Sequence, residues 1–410
     1  MKYAIIIPDG CADLPLEPLG GKTPLEVAHI PHMNAVARDG VLALTDNVPA
    51  HFPAGSEVAN MTLFGYDPNL YFTGRAPIEA AAQGIRLGPD DWAVRCNMVT
   101  VIDQIMVDFT ADHLSTAEAT ELLKTLSADT SDDRIQFVPG VSYRNLMIYR
   151  GTSGHPAPFS SDTRTKAPHD LTDLSVTDDY PRGRGSDLLT ELMRKSANLF
   201  EDHPVNIQRR AAGKRPATNV WLWGLGGSPN LPAFRDRYGL DGAMITAVDL
   251  LRGIAALIGW DRLEVVGATG YLDTNYAGKG QAAVEALDRY DIVCVHIEAT
   301  DEASHEGRYQ EKIKALEEID KHIVGPVRAK LESLGEHRLL LLPDHPTPCS
   351  TKKHSHGMVP MAVCGTGISG FGDAYNEANA VNTPIQFSRG WEMMDQFIRG
   401  SWSPTIAPVQ

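Results

Sequence analysis

The stretch "YDIVCVHIEATDEASHEGRY", Tyr290 to Tyr309, runs from an apolar segment to a carboxylate and then to a histidine. Its first half is near-continuously apolar, the pattern of a strand in a parallel sheet covered on both faces. The run stops at Asp301, and His305 follows one helical turn later, on the same face if a helix begins there. Two other apolar runs end alike: "YAIIIPDG" at Asp9, and "HRLLLLPDH" at Asp344, followed at once by His345. In an open parallel sheet, ligands bind outside the carboxyl ends of the strands. Parallel neighbours ending in Asp9, Asp301 and Asp344 would bring these carboxylates to one edge. There they would raise each other's pKa, and a divalent cation is the simplest counter-charge.

Strand-like and helix-like runs alternate along the chain. "KYAIIIPDG" precedes "TPLEVAHIPHMNAVARDG", which has a Thr-Pro helix start and a Gly stop. A longer alternation holds "NVWLWGLG", "TAVDLLRGIAALIGW", "LEVVGAT", "GKGQAAVEALDRY", "HRLLLLPD" and "VPMAVCG". This predicts an α/β fold with a mostly parallel sheet flanked by helices. From about Pro77 to Val205 the texture changes to weaker, more alternating strands and a Gly/Pro/Ser/Asp-rich segment. We expect a core of residues 1–76 and 206–410, with a smaller inserted α/β lid at 77–205.

The 410 residues are 43% hydrophobic and 22% charged, with a formal net charge of −15. That balance suits a soluble protein and argues against a nucleic-acid partner, which would want a basic face. No apolar run approaches the roughly 18 residues of a membrane span. "MKYAIIIPDG" lacks a small-residue cleavage site, so it reads as a core strand and not a leader. Cys11, Cys96, Cys294, Cys349 and Cys364 are dispersed, without CxxC spacing. The expectation is reduced thiols in a cytoplasmic protein.

His354 and His356 in "KKHSHG" follow nine and eleven residues after His345. Asp and His in these numbers are the inventory of a two-metal site with mixed N and O ligands. In "FPAGSEVANMTLFGYDP", Ser56 reads either as a helix N-cap or as a nucleophile at a helix N-terminus, with Gly55 allowing close approach. Two Gly-rich segments are set aside. "WLWGLGGSP" lacks G-x-G-x-x-G spacing, and "AGKGQ" is not a phosphate-binding Walker loop.

Taken together, "IIIPDGCADLPLEPLGGKTPLEVA", "GSEVANMTLFGYDP", "YFTGRAPIEAAAQGI", "GVSYRNLMIY", "AVDLLRGIA", "GATGYLDTNYAGKG", "TDEASHEG" and "PDHPTPCSTKKHSHGMVPMAV" carry a resemblance over nearly the whole chain. It resembles the archaeal-type cofactor-independent phosphoglycerate mutases of the alkaline phosphatase superfamily. It looks closest to a bacterial branch some of whose members are called proposed homoserine kinases. The resemblance implies two divalent ions, Mn or Zn with Mg left open, and a phosphoserine intermediate on Ser56. It implies that Asp9, Ser56, Asp344 and His345 hold one ion, and that Asp301, His305 and His354 hold the other; His356 has no role in it. Candidates for binding a small anionic phosphorylated substrate are Arg144, Arg209 and Lys279, and candidates for acid–base work in the lid are His113 and Asp170. The expected activity interconverts 3-phosphoglycerate and 2-phosphoglycerate; the alternatives are a homoserine kinase-like phosphotransferase or a phosphatase on the same scaffold. A homo-oligomer is left open, and neither nucleic acid nor membrane is an expected partner.

Overall fold

The computed structural model describes residues 1–370 and 372–402. Its strands, in chain order, are β1 (Lys2–Pro8), β2 (Val41–Thr45), β3 (Trp92–Ile102), β4 (Ile105–Asp108), β5 (Ile135–Val141), β6 (Arg144–Tyr149), β7 (Asn219–Gly227), β8 (Gly242–Ile245), β9 (Asp261–Leu263), β10 (Ile292–Ile297), β11 (His337–Leu341), β12 (Val359–Gly365) and β13 (Gln386–Phe387). The chain divides into two units, Met1–Phe72 with Leu231–Gln410, and Thr73–Asn230.

The first unit is built on a sheet with the order β13-β2-β12-β11-β1-β10-β8-β9. β1 lies between β10 and β11 and runs parallel to both. The three runs that end in Asp9, Asp301 and Asp344 are therefore parallel neighbours, as the sequence predicts. Ile5, Ile6 and Ile7 of β1 are fully buried, and each such side chain contributes roughly 1.5–3 kcal/mol. Helices Tyr276–Ala286 and Gly325–Ser333 pack on β10 and β11. β12 runs antiparallel to both β11 and β2, so "VPMAVCG" is the exception in a mostly parallel sheet. "LEVVGAT" is a second departure: only Leu263, its first residue, belongs to a strand.

The second unit holds an antiparallel sheet in which β3 pairs with β4, β6 and β7. β5 completes it beside β6. Helices Thr116–Asp129 and Ser186–Phe200 cover its core, which contains Leu122, Leu189, Phe200 and Trp221. "NVWLWGLG" was expected among the parallel strands of the core, with residues 206–230. As β7 it pairs antiparallel with β3 from Asn219 to Gly227, and this places it in the second unit. An apolar run shows burial but not the direction of its neighbour.

All five cysteines are free and buried. No described helix is long and apolar enough to cross a membrane.

Candidate metal centre

The carboxyl ends of β1, β10 and β11 gather a set of polar side chains inside the first unit. Asp9 follows β1 directly and is fully buried. β10 stops at Ile297, and Asp301 stands in the first turn of the helix Ala299–Glu306, 3% exposed, with His305 in its last turn. Asp344 and His345 follow β11 and are both fully buried. Gly10 makes this convergence possible. Its φ is +58°, and a Cβ there would sit 2.3 Å from Asp301 Oδ1 and 2.6 Å from Thr347 Oγ1.

Histidine tautomers follow from their partners. Nδ1 of His305 is 2.9 Å from the Lys352 carbonyl, and Nδ1 of His354 is 3.3 Å from the Ala54 carbonyl. A carbonyl only accepts, so each Nδ1 carries the proton and each neutral ring leaves Nε2 bare. These two Nε2 atoms lie 2.9 Å apart. They stand 3.0 and 3.4 Å from Asp301 Oδ2. The same logic holds at His345. Thr347 Oγ1 donates to Asp301 Oδ1 at 2.6 Å, so its remaining lone pair accepts from His345 Nδ1 at 3.2 Å. His345 Nε2 is then bare and lies 3.0 Å from Ser56 Oγ.

Lone pairs that converge in this way repel unless a positive charge sits among them. Asp301, His305 and His354 offer ligand atoms within 4.8 Å of one another, and so do Asp9, Asp301 and His345. Among the described residues, the buried Oδ1 of Asp9 has no hydrogen-bond partner. Mixed imidazole and carboxylate donors suit a divalent first-row ion, so the residues present fit such a group.

Electrostatics agree with the geometry. Burial, then the charges of Asp344, Glu298 and Asp301, pushes Asp9 well above the ordinary carboxylate range. Burial also raises Glu298, to about 7. At Asp301 burial acts upward, but hydrogen bonds from His305 and His354 prevail and hold it well below the usual range. The hydrogen bond to Asp301 lifts His305 to about 9. Burial lowers His345. In the protein alone, protons on some of these groups take the place that a cation would fill.

Ser56 is not the N-cap that one reading expected. Gly55 is the N-cap of the helix Ser56–Leu63, and Ser56 is its first residue. Its hydroxyl therefore faces His345 instead of closing the helix end. Asn60, one turn on, donates to Asp344 Oδ2 at 2.9 Å and to the Ser56 carbonyl at 3.0 Å, tying the helix to the cluster. His356 turns away, with Nε2 2.8 Å from the Phe52 carbonyl.

Two of the expected substrate cations are buried structural groups. Lys279 is 1% exposed and donates to the His296 carbonyl at 3.1 Å. Arg209, in the second unit, is 2% exposed. It bonds Glu118 Oε1 and the carbonyls of Arg215, Ala111 and Asp112. It thereby holds the left-handed run Ala111, Asp112 and His113. His113, Arg144 and Asp170 are exposed on the second unit. The Arg144 guanidinium stacks 4.6 Å from the ring centre of Tyr143, whose ring also meets that of His113 in a T-shaped contact.

Thr347, Asn60 and His296 were not singled out in the sequence. Of these only His296 left a signal, an imidazole inside the fully buried run "IVCVHI". A buried imidazole needs partners.

The family model described as 2,3-bisphosphoglycerate-independent phosphoglycerate mutase matches residues 37–206. An enzyme of that name from Methanosarcina barkeri is 45% identical over 93% of this chain and 95% of its own length. One from Methanothrix thermoacetophila is 44% identical over 98% of this chain and 100% of its own. A protein of known structure from Pyrococcus horikoshii superposes with a TM-score of 0.81 at 27% identity, covering 98% of both chains. The cofactor-independent phosphoglycerate mutase of Thermoplasma acidophilum shares the fold, with a TM-score of 0.68 at 24% identity over 97% of this chain and 99% of its own. With relatives this similar along almost all of its length, and with acidic and imidazole groups gathered at the strand ends, the chain belongs to the 2,3-bisphosphoglycerate-independent phosphoglycerate mutases.

Proposed function

We propose that the chain interconverts 3-phosphoglycerate and 2-phosphoglycerate, with Ser56 taking the phosphoryl group from one hydroxyl of glycerate and returning it to the other. The observation that carries this reading is the 3.0 Å approach of Ser56 Oγ to His345 Nε2 among buried carboxylates. Asp9, Ser56, Asp344 and His345 would hold one divalent ion, and Asp301, His305 and His354 the other, with Mn or Zn suited to the donors. When bound, such ions neutralise phosphate charge and lower the proton affinity of a hydroxyl.

The chain's own groups account for the rest. Ser56 opens a helix, so the free N–H groups of its first turn favour the anionic phosphate. In the first transfer, the bond from Ser56 Oγ to phosphorus forms as the bond to the substrate oxygen breaks. The proton lost by Ser56 matches the one gained by the released hydroxyl. In the second transfer the other hydroxyl of glycerate attacks the phosphoserine and Ser56 regains its proton. Thr347 keeps His345 in the tautomer that leaves Nε2 bare toward Ser56, and Asn60 fixes Asp344.

The test is to supply 3-phosphoglycerate to the chain with Zn2+ or Mn2+ and identify the products. The expected product is 2-phosphoglycerate. Free phosphate alone would make the chain a phosphatase. Transfer from a phosphate donor to homoserine, without mutase activity, would make it a kinase-like phosphotransferase.

A further inference from the structure

His296 stands behind Asp9, fully buried in β10 and paired in register with Ile7 of β1. Its Nε2 is 2.9 Å from Asp9 Oδ2, and its Nδ1 is 3.2 Å from Thr246 Oγ1. Thr246 Oγ1 already accepts the Val248 N–H at 3.1 Å. Its own proton is thus available to His296 Nδ1, and Nε2 carries the ring proton. With no ion between them, the reverse tautomer would set a bare nitrogen against a carboxylate oxygen, two acceptors face to face.

This tautomer is opposite to that of His305, His345 and His354, whose Nδ1 atoms carry the proton. Those three, when neutral, turn bare nitrogens to the cluster, whereas His296 turns a donor to it. Asp9, His296 and Glu298 also lie close enough to resemble a third group of ligands. With Nε2 protonated, His296 cannot act as a ligand there. Lys279 supplies positive charge behind the same layer, donating to the His296 carbonyl.

The two oxygens of Asp9 consequently have different roles. Oδ2 is tied back to β10 through His296. Oδ1 has no partner among the described residues and stands 3.7 Å from His345 Nε2. We propose that His296 is a positioning residue: through the buried sequence Thr246 to His296 to Asp9 it fixes the carboxylate so that Oδ1, and not Oδ2, is presented to a divalent ion. The inference rests on the two-ion reading given under Proposed function. Outer partners of this type commonly change metal affinity about 10- to 100-fold when removed.

The test uses the full-length chain stripped of metal with EDTA and titrated calorimetrically with Mn2+. Wild type is compared with His296→Leu, which loses the donor, and His296→Gln, whose amide N–H replaces it. His296→Leu is expected to weaken binding about 10- to 100-fold at one ion, and His296→Gln to recover most of it, with similar urea midpoints for the two metal-free variants. Should His296→Leu fail to fold, 15N NMR of histidine-labelled wild type with Zn2+ bound still decides the question. A protonated Nε2 on His296 is expected, and a bare Nε2 overturns the proposal. A His296→Leu variant that binds Mn2+ like wild type also overturns it. Failure of wild type itself to bind Mn2+ would instead overturn the two-ion reading on which the proposal rests.

Discussion

Ser56 Oγ and His345 Nε2 lie 3.0 Å apart although 289 positions separate them in the chain. Sheet order brings them together, since β1, β10 and β11 are adjacent and the helix Ser56–Leu63 is tied to Asp344 through Asn60. The same order places Asp9 and Asp301 beside them.

Ser56→Ala should abolish turnover and leave the fold intact. The hydroxyl makes no cap bond and loses one hydrogen bond, to His345, so its removal should change unfolding free energy by no more than about 1.5 kcal/mol. Mutase assays with urea unfolding check this. Calorimetry should show that most Mn2+ binding persists, because the carboxylate and imidazole ligands remain.

His305→Ala should remove a pH-dependent part of stability. In the metal-free protein His305 is raised to about 9 from 6.5, chiefly by its hydrogen bond to Asp301. The folded state therefore holds this proton more tightly than the unfolded state. The contribution is full below about pH 6.5 and is lost as pH rises through about 9. Urea unfolding in EDTA should show wild type more stable than His305→Ala near pH 6, with the difference vanishing above about pH 9. A difference that grows with pH would contradict this assignment.

How much of this was legible in the sequence depends on what kind of contact is asked for. Asp9, Asp301 and Asp344 could be read because each ends an apolar run, and strand ends in a parallel sheet share an edge. His305 could be read from its helical spacing to Asp301. Thr347 could not, because its partners Asp301 and His345 meet it only after the sheet forms. Lys279 and Arg209 read as candidates for holding the anionic substrate, since charge is visible in a sequence and burial is not. Each is buried because acceptors far along the chain satisfy it, the His296 carbonyl for Lys279 and Glu118 for Arg209. The run "NVWLWGLG" showed its burial, but its antiparallel partner β3 lies more than a hundred residues upstream.

Thr347→Val should keep the volume and lose both hydrogen bonds. Asp301 loses a donor and His345 an acceptor for its Nδ1 proton. Mn2+ affinity should fall about 10- to 100-fold, and Thr347→Ser should restore it. Calorimetric titration of the three proteins measures this, and an unchanged affinity in the valine variant would remove Thr347 from the account.

Lys312→Met should be strongly destabilising. Its ammonium is 2.8 Å from Asp13 with both side chains fully buried, and it also donates to the Thr347 carbonyl at 3.0 Å. Removing it leaves the Asp13 charge buried without its cation, a change that costs about 3–5 kcal/mol. Asp13 also accepts from the Cys349 N–H, so the loop carrying His345 loses an anchor and activity should fall as well. Urea unfolding of the metal-loaded proteins checks the energy, and a loss below about 1 kcal/mol would mean that the pair is dispensable.

The most direct measurement is to quench the Zn2+-loaded chain during turnover of 3-phosphoglycerate and locate covalent phosphate by peptide mass spectrometry. Phosphate on Ser56, appearing with substrate and absent without it, is the predicted result. Turnover with no phosphorylated peptide, or with phosphate on a different side chain, would contradict the assignment of Ser56 as the carrier.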